Sequence, residues 1–158
     1  MSRAFVKEDD QGPPPPPLER AVSAAPNLVT PSGALAIEEE IARLEREIAA
    51  MSEGDAAELL KRDLRYWTAR RASARLVQPD AAPEAVGFGA FVTIRRDGRT
   101  SRIRIVGEDE ADPESGLIAW TSPLARALEE AEPGETVEME AGGRKVAIQL
   151  LAVESGAS

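Results

Sequence analysis

The chain has 158 residues, a formal net charge of −9 at pH 7, and neither cysteine nor histidine. This composition excludes disulfides, thiol nucleophiles, imidazole acid–base chemistry and zinc sites built on cysteine or histidine. The negative charge argues against strong direct binding to DNA, because nucleic-acid affinity depends on cationic side chains that neutralise phosphates. A basic protein surface is the better partner on charge grounds.

The length suits one ordinary domain with an extension, or two small units. No apolar run approaches the ~18 residues that a membrane-spanning helix requires. The N-terminal stretch MSRAFVKEDDQG has no apolar core of a secretory signal. We therefore expect a soluble, cytoplasmic protein with no membrane partner.

Residues 1–29 form a proline-rich tail that we expect to be disordered. Its centre is an unbroken proline run from Pro13 to Pro17, a composition typical of a stiff polyproline II spacer. Two interpretations of this run stay open: a plain linker, or a peptide that docks on another protein.

Residues 30–77 carry the periodicity of an antiparallel helical hairpin. Thr30 is a suitable N-cap, and Pro31 fits the first helical position because its missing N–H costs nothing there. Apolar residues then recur at steps of four and three along the first arm: Ile37, Ile41, Leu44, Ile48 and Met51. The second arm continues this seam with the apolar residues Leu60, Leu64, Trp67 and Ala74. Arg71 occupies the intermediate seam position and interrupts the pattern. Tyr66 faces away from the seam, towards the junction with the C-terminal domain.

The two arms differ in charge. Between residues 34 and 51 there are five glutamates and two arginines, whereas between residues 56 and 77 there are six basic and two acidic residues. This asymmetry predicts ion pairs across the seam.

Asp55 and Glu58 lie at the corner between the arms, in the stretch SEGDAAEL. A structural interpretation makes Asp55 the N-cap of the second arm and Glu58 its N3 residue, which together form a capping box. A functional interpretation makes them a pair of carboxylates presented to the active site of another protein. The two interpretations are compatible.

Beyond a proline- and alanine-rich linker over residues 78–86, the period changes to that of strands. Asp97-Gly98 is a strong hairpin-turn signal, and two further strands surround Gly142-Gly143. The absence of a βαβ rhythm predicts a small antiparallel α+β domain over residues 87–154.

One short helix is predicted within that domain. Ser122 is its N-cap and Pro123 its first residue, and the helix should end near Pro133-Gly134. The apolar residues of this helix are best explained by packing on the sheet.

Several motifs resemble a known family. The stretch from Gly87 to Glu154 resembles the C-terminal domain of the GreA/GreB bacterial transcript-cleavage factors, most specifically at RIVGEDEAD and at SPLARAL with the following PGE. The upstream NLVTPSGALAIEEEI resembles the entry into the family's coiled coil. MSRAFVKEDD with its proline-rich tail resembles the GreB-like branch.

The resemblance implies a domain of FKBP-like fold that docks at the rim of the secondary channel of RNA polymerase, and a coiled coil that enters the channel. Its signature helix makes Ser122, Pro123 and Arg126 candidate polymerase contacts. In members that stimulate cleavage, the tip carries Gly-Asp-x-x-Glu-Asn, and its two acids help to hold the second Mg²⁺ of the polymerase active site.

This chain matches that tip motif only in part. The two acids carry over to Asp55 and Glu58, but Leu59 stands where the motif has asparagine, and both arms are shorter than in cleaving members. The resemblance therefore leaves two mechanisms open: activation of cleavage by Asp55 and Glu58, or occupancy of the channel without cleavage, as in the short-armed relative Rnk.

The sequence thus predicts an α+β protein with an N-terminal antiparallel helical hairpin, a linker, and a small FKBP-like antiparallel sheet domain with one short helix. The expected function is that of a monomeric elongation factor that binds bacterial RNA polymerase, is not itself an enzyme, and binds no cofactor beyond a shared polymerase Mg²⁺. Two alternatives of other classes are a purely structural coiled-coil adaptor and a prolyl isomerase or chaperone. The isomerase needs an aromatic-lined pocket, for which residues 87–158 offer Phe88, Phe91 and Trp120.

Overall fold

The structure of the protein, a computed structural model, describes residues 12–13 and 15–157. It is a mixed α+β fold in which a helical hairpin precedes a curled sheet. Its elements are β1 (Leu28–Val29), α1 (Pro31–Ala50), α2 (Asp55–Ser73), β2 (Arg75–Leu76), β3 (Phe91–Arg96), β4 (Arg99–Val106), a 3₁₀ turn (Pro113–Ser115), β5 (Leu117–Ala119), α3 (Pro123–Leu128), β6 (Thr136–Ala141) and β7 (Arg144–Glu154).

The helical hairpin begins as predicted. Thr30 is the N-cap of α1, its hydroxyl accepts a hydrogen bond from the Gly33 N–H at 3.0 Å, and Pro31 is the first helical residue. The chain then reverses over four residues, where Gly54 has φ 155° and ψ −175°, a region that is essentially reserved for glycine. Because β1 pairs with β2, the outer ends of α1 and α2 meet and the helices run antiparallel.

The apolar seam is strong at the base of the hairpin and weak at its tip. Ile37, Ile41 and Leu44 are buried, and Leu44 has no exposed surface. Each such side chain contributes about 1.5–3 kcal/mol by its burial. Trp67 packs against this cluster as predicted, whereas Met51 is 39% exposed. Packing therefore stabilises the base more than the tip.

The prediction of ion pairs across the seam is largely wrong. Among the described residues, one salt bridge joins α1 to α2, between Arg71 and Glu38 at 3.4 Å. The other basic side chains of α2 contact acids of the turn, of α2 itself, of the preceding tail or of the sheet domain. The physical reason is distance. An acidic side chain one helical turn away or on an adjacent segment is closer to these basic side chains than an acidic side chain across the seam.

The predicted disordered tail needs a correction at its C-terminal end. Leu28 and Val29 form β1 and pair in parallel with Arg75 and Leu76. Asn27, just before them, is buried and donates a hydrogen bond to the Arg70 carbonyl at 2.8 Å. These backbone and side-chain bonds order the segment that leads into α1. Residues 1–11 and 14 of the predicted tail lie outside the described residues.

The second half of the chain is a five-stranded sheet with the order β5-β4-β3-β7-β6. The predicted turns are confirmed, since Asp97-Gly98 and Gly142-Gly143 join antiparallel neighbours and have positive φ. The sheet is not purely antiparallel as predicted, because β5 runs parallel to β4. A crossover through the 3₁₀ turn makes this pairing possible.

The short helix α3 covers one face of the sheet. Its predicted cap is confirmed, since the Ser122 hydroxyl accepts a hydrogen bond from the Ala125 N–H at 3.3 Å. The helix ends at Leu128, earlier than predicted, and Glu130 takes a positive φ of 62° just beyond it. Leu128 and the inward residues of β3, β4 and β7 form the core of this unit.

Candidate functional site

A buried arginine joins the hairpin to the sheet unit. Arg70 of α2 is 2% exposed, and its Nε donates to Asp109 Oδ2 at 2.5 Å. Its Nη2 donates to Asn27 Oδ1 at 2.8 Å and lies 3.7 Å from Glu108 Oε2. A buried guanidinium requires such acceptors and counter-charges, because an unpaired buried charge is costly.

Three consecutive acids of the loop after β4 hold the base of the hairpin. Asp109 accepts hydrogen bonds from Arg70 and from the Tyr66 hydroxyl. Glu110 accepts from the Thr30 hydroxyl at 2.6 Å and from the Ser32 hydroxyl at 2.8 Å, at the start of α1. The stretch RIVGEDEAD is therefore the clamp that fixes where the hairpin leaves the sheet unit.

Gly107 allows the clamp loop to approach β1 closely. A Cβ atom at this position would lie 2.4 Å from the Leu28 carbonyl oxygen, which is too close for any side chain. Gly107 therefore allows the backbone of this loop to contact the backbone of β1.

The prediction that Tyr66 lies at the junction is confirmed by its hydrogen bond to Asp109. Burial, followed by this hydrogen bond and the negative charge of Asp109, raises the pKa of Tyr66 to about 12. All three causes favour the neutral phenol, so the Tyr66 hydroxyl stays protonated and donates its hydrogen bond to the Asp109 carboxylate throughout the neutral range.

Tyr66 is the one tyrosine of the sequence, so tyrosinate absorbance reports this residue alone. We expect the folded protein to titrate with a midpoint of about 12, and the urea-unfolded chain near the ordinary value of about 10. Because the folded-state pKa is the higher one, the stability from this contact is complete below pH ~10 and is lost as the pH rises towards 12. Tyr66→Phe should abolish that part of the alkaline loss. A folded-state midpoint close to that of the unfolded chain would contradict the buried contact.

The tip of the hairpin carries Asp55 and Glu58 in the first turn of α2. The predicted capping box is wrong, because Gly54 is the N-cap and no side chain caps this helix. Asp55 is exposed and Glu58 half-exposed. Their carboxylates are thus free of a capping role, although both still favour the helix dipole.

The charges beside these acids come from Glu53 of the turn and from Lys61 of α2. Lys61 contacts Glu53 at 3.0 Å and Glu58 at 3.4 Å. These two carboxylates, Glu53 first, raise the pKa of the Lys61 ammonium group. Leu59 is 45% exposed next to them, an apolar side chain at the tip of an otherwise polar turn.

The three candidate docking residues lie together on α3 and its cap. Pro123 and Arg126 are exposed, whereas Ser122 is partly buried because its hydroxyl caps the helix. The sequence-predicted residues therefore form two separate groups: the acids at the hairpin tip, and the α3 surface on the sheet unit.

The aromatic residues considered for an isomerase pocket are not gathered in one place. Phe88 and Trp120 line a cleft of 380 Å³ near α3. Phe91 occupies the other face of the sheet, where the Arg102 guanidinium lies 4.0 Å from its ring centroid. The indole Nε1 of Trp120 is buried and has no hydrogen-bond partner among the described residues.

Metal-ligand clusters and membrane-spanning helices are both absent from the described part of the chain. It contains no group of three or more Asp, Glu, His or Cys side chains that could hold a metal ion. No helix in the described ranges is long and apolar enough to cross a membrane.

The sequence analysis did not identify Arg70 as a buried residue that joins the two units. It noted only that Arg71 interrupts the apolar seam of the second arm. A signal was present, because Arg70 lies four residues after Tyr66 and three after Trp67, on the faces that meet the junction. The run Glu108-Asp109-Glu110 is its natural counterpart.

Residues 80–155 match the family model described as "Transcription elongation factor, GreA/GreB, C-term". The chain is 35% identical to the transcription elongation factor GreB of Neisseria meningitidis over 152 aligned positions, which cover 81% of this chain and 93% of the relative. It is 32% identical to the transcription elongation factor GreA of Maricaulis maris, with 81% and 97% covered.

A solved structure, the GreA factor homolog 1 (Gfh1) of Thermus thermophilus, matches with a TM-score of 0.40 and 14% identity, covering 82% of this chain and 99% of the other. The sequence identity to full-length GreB and GreA decides the family. The chain belongs to the GreA/GreB family of transcription elongation factors.

Proposed function

We propose that this protein binds bacterial RNA polymerase and inserts its helical hairpin into the secondary channel, where it regulates paused or backtracked complexes. The observation that carries this proposal is a hairpin that is fixed at its base by the Arg70–Asp109 clamp and exposes Asp55 and Glu58 at its opposite end. Such an arrangement suits a rigid probe whose tip reaches into a partner.

The two units have different roles in this proposal. Residues 87–154, which we take to be an FKBP-like domain, dock on the polymerase surface through Ser122, Pro123 and Arg126. Residues 30–77 form the probe, and residues 78–86 link the two. The protein acts as a monomer and supplies no catalytic centre of its own.

Carboxylate oxygens are the ligands that Mg²⁺ prefers, so Asp55 and Glu58 have suitable chemistry for an ion that the polymerase holds. A second Mg²⁺ in a nucleotidyl-transfer centre supplies activation of water and stabilisation of the displaced oxygen. This chain contributes two acids at the end of a hairpin. Lys61 lies beside Glu58 and partly neutralises the charge of its carboxylate.

Within this function, occupancy of the channel without cleavage is favoured over activation of cleavage. Helices of 20 and 19 residues make a hairpin about 30 Å long. A carboxylate must come within ~2.1 Å of Mg²⁺ to bind it, so a tip that ends even one helical turn short cannot reach. Leu59, in place of the motif's asparagine, removes a polar group from the tip.

The alignment to a relative also contains gaps on the side of this chain. The alignment to the Neisseria GreB extends over 152 positions but covers 81% of this chain, so part of the relative has no counterpart here.

The docking part of the proposal predicts that Arg126→Ala weakens binding to core RNA polymerase about tenfold, which corresponds to about 1.4 kcal/mol. Arginine is enriched among the interface residues that contribute this much, because its planar guanidinium can donate several hydrogen bonds. Equilibrium titration of labelled polymerase measures the change.

Arg144→Ala is the matched control, since it removes another exposed arginine, the first residue of β7 in the same unit. It should leave the affinity unchanged. Equal affinity of wild type and Arg126→Ala would remove α3 from the interface, and no binding by the wild type would overturn the proposed function.

A further inference from the structure

The proline-rich segment before α1 lies along the hairpin. Pro15, Pro16 and Pro17 line a groove of 250 Å³ whose other wall is formed by Asp55, Glu58 and Leu59 of α2. The prolines thus lie beside the same turn of α2 that carries the tip acids.

Two charged residues anchor the segment farther from the tip. Glu19 accepts hydrogen bonds from Arg65, from Nη2 at 2.5 Å and from Nε at 3.0 Å. Arg20 places its guanidinium 3.9 Å from the ring centroid of Tyr66, with Nη1 3.6 Å from Asp63. The contacts follow α2 in order, from its first turn to its middle.

This mode of attachment is specific but reversible. A polyproline segment is stiff, so it loses little conformational entropy when it docks. The Glu19–Arg65 pair is exposed and the Arg20–Asp63 pair is partly exposed, and surface pairs of this kind contribute at most about 1 kcal/mol each. Residues 21–26 tether the segment to β1, so its effective concentration at the groove is in the millimolar range.

We propose that residues 15–20 form an intramolecular strap that occupies the tip and outer face of α2 and competes with RNA polymerase for the hairpin. The inference rests on the proposed function, since insertion into a channel requires the surface that the strap covers. The occupant of this groove is the chain's own segment, and charge complementarity of Glu19 with Arg65 and of Arg20 with Asp63 selects it.

Competition has a measurable consequence. The apparent affinity of the hairpin for polymerase is reduced by the fraction of molecules in which the strap is docked. If about nine molecules in ten are closed, opening the strap raises the apparent affinity about tenfold. Added salt should also open the strap, because it screens the exposed pairs.

Docking is tested without polymerase. The chain has no cysteine, so Leu18→Cys accepts a single nitroxide label at a position that is 88% exposed. In the full-length protein, the label should broaden the amide signals of residues 56–65. Glu19→Arg places two arginines together and should reduce this broadening at least about twofold. Arg65→Glu places two glutamates together and should reduce the broadening by a similar factor.

The charge-swapped variant Glu19→Arg/Arg65→Glu restores an attractive pair and should restore the broadening. Glu84→Arg is the control, since it makes the same change of charge at an exposed linker residue. Broadening that is absent in the wild type, or unchanged in both single variants, overturns the strap.

The competitive role is tested by titrating polymerase with unlabelled proteins. Glu19→Arg should bind about five- to tenfold more tightly than the wild type, and the charge-swapped variant should return to the wild-type affinity. Equal affinities in all variants overturn the competition. Loss of polymerase binding in every variant would instead overturn the proposed function, while the nitroxide experiment decides separately whether the strap docks.

Discussion

Arg70→Met should lower the free energy of unfolding by about 3–5 kcal/mol, the usual cost of removing one partner from a buried ion pair. Methionine fills much of the volume of the arginine stem but supplies no donor. Asp109, which is 11% exposed, and Asn27 would then remain buried without the guanidinium that satisfies them. Urea unfolding followed by circular dichroism measures the change.

Two controls separate this pair from general effects of substitution. Arg71→Met removes the neighbouring arginine, whose exposed contact with Glu38 predicts a loss below about 1 kcal/mol. The double variant Arg70→Met/Asp109→Asn should recover part of the loss, because it removes the uncompensated charge of Asp109 and keeps an oxygen that can accept from the Tyr66 hydroxyl. Equal losses for Arg70→Met and Arg71→Met would show that the clamp is not the main link between hairpin and sheet unit.

The regular parts of the fold could be predicted because their signals are local. Thr30 and Ser122 cap helices, and Asp97-Gly98 makes a turn, through contacts with residues a few positions away. The seam over Ile37, Ile41 and Leu44 follows from helical periodicity alone.

The junction could not be predicted in the same way, because its contacts join distant parts of the chain. Asn27, Arg70 and Asp109 are separated by 43 and 39 residues. The spacing of Arg70 from Tyr66 and Trp67 places it on the helix faces that meet the junction, but its acceptors are known only once the sheet unit is in place. The parallel pairing of β5 with β4 likewise depends on a crossover connection that no local sequence pattern indicates.

The tip was predicted in part. The sequence placed Asp55 and Glu58 at the corner, but the capping box failed because the turn uses Gly54 as the N-cap. A shift of one residue in the helix start is enough to move both side chains out of capping register. Whether such acids reach a metal ion depends on the length of the hairpin and on the partner.

The second large effect concerns transcript cleavage. A hairpin about 30 Å long with Leu59 at its tip should occupy the channel and leave the cleavage rate of the polymerase unchanged. At saturating concentration it should abolish stimulation by a cleavage-active GreB, because two hairpins cannot share one channel. Leu59→Asn alone should not restore cleavage, since it does not lengthen the arms.

The most direct measurement uses backtracked complexes of polymerase from the same source, incubated with Mg²⁺ and this protein, with the release of short 3′ RNA fragments followed over time. The account predicts no fragments above the intrinsic rate, and dose-dependent inhibition of an added cleavage-active GreB. Rapid fragment release by the wild type, lost in both Asp55→Asn and Glu58→Gln, would contradict it and show that the tip acids reach the polymerase's metal ion.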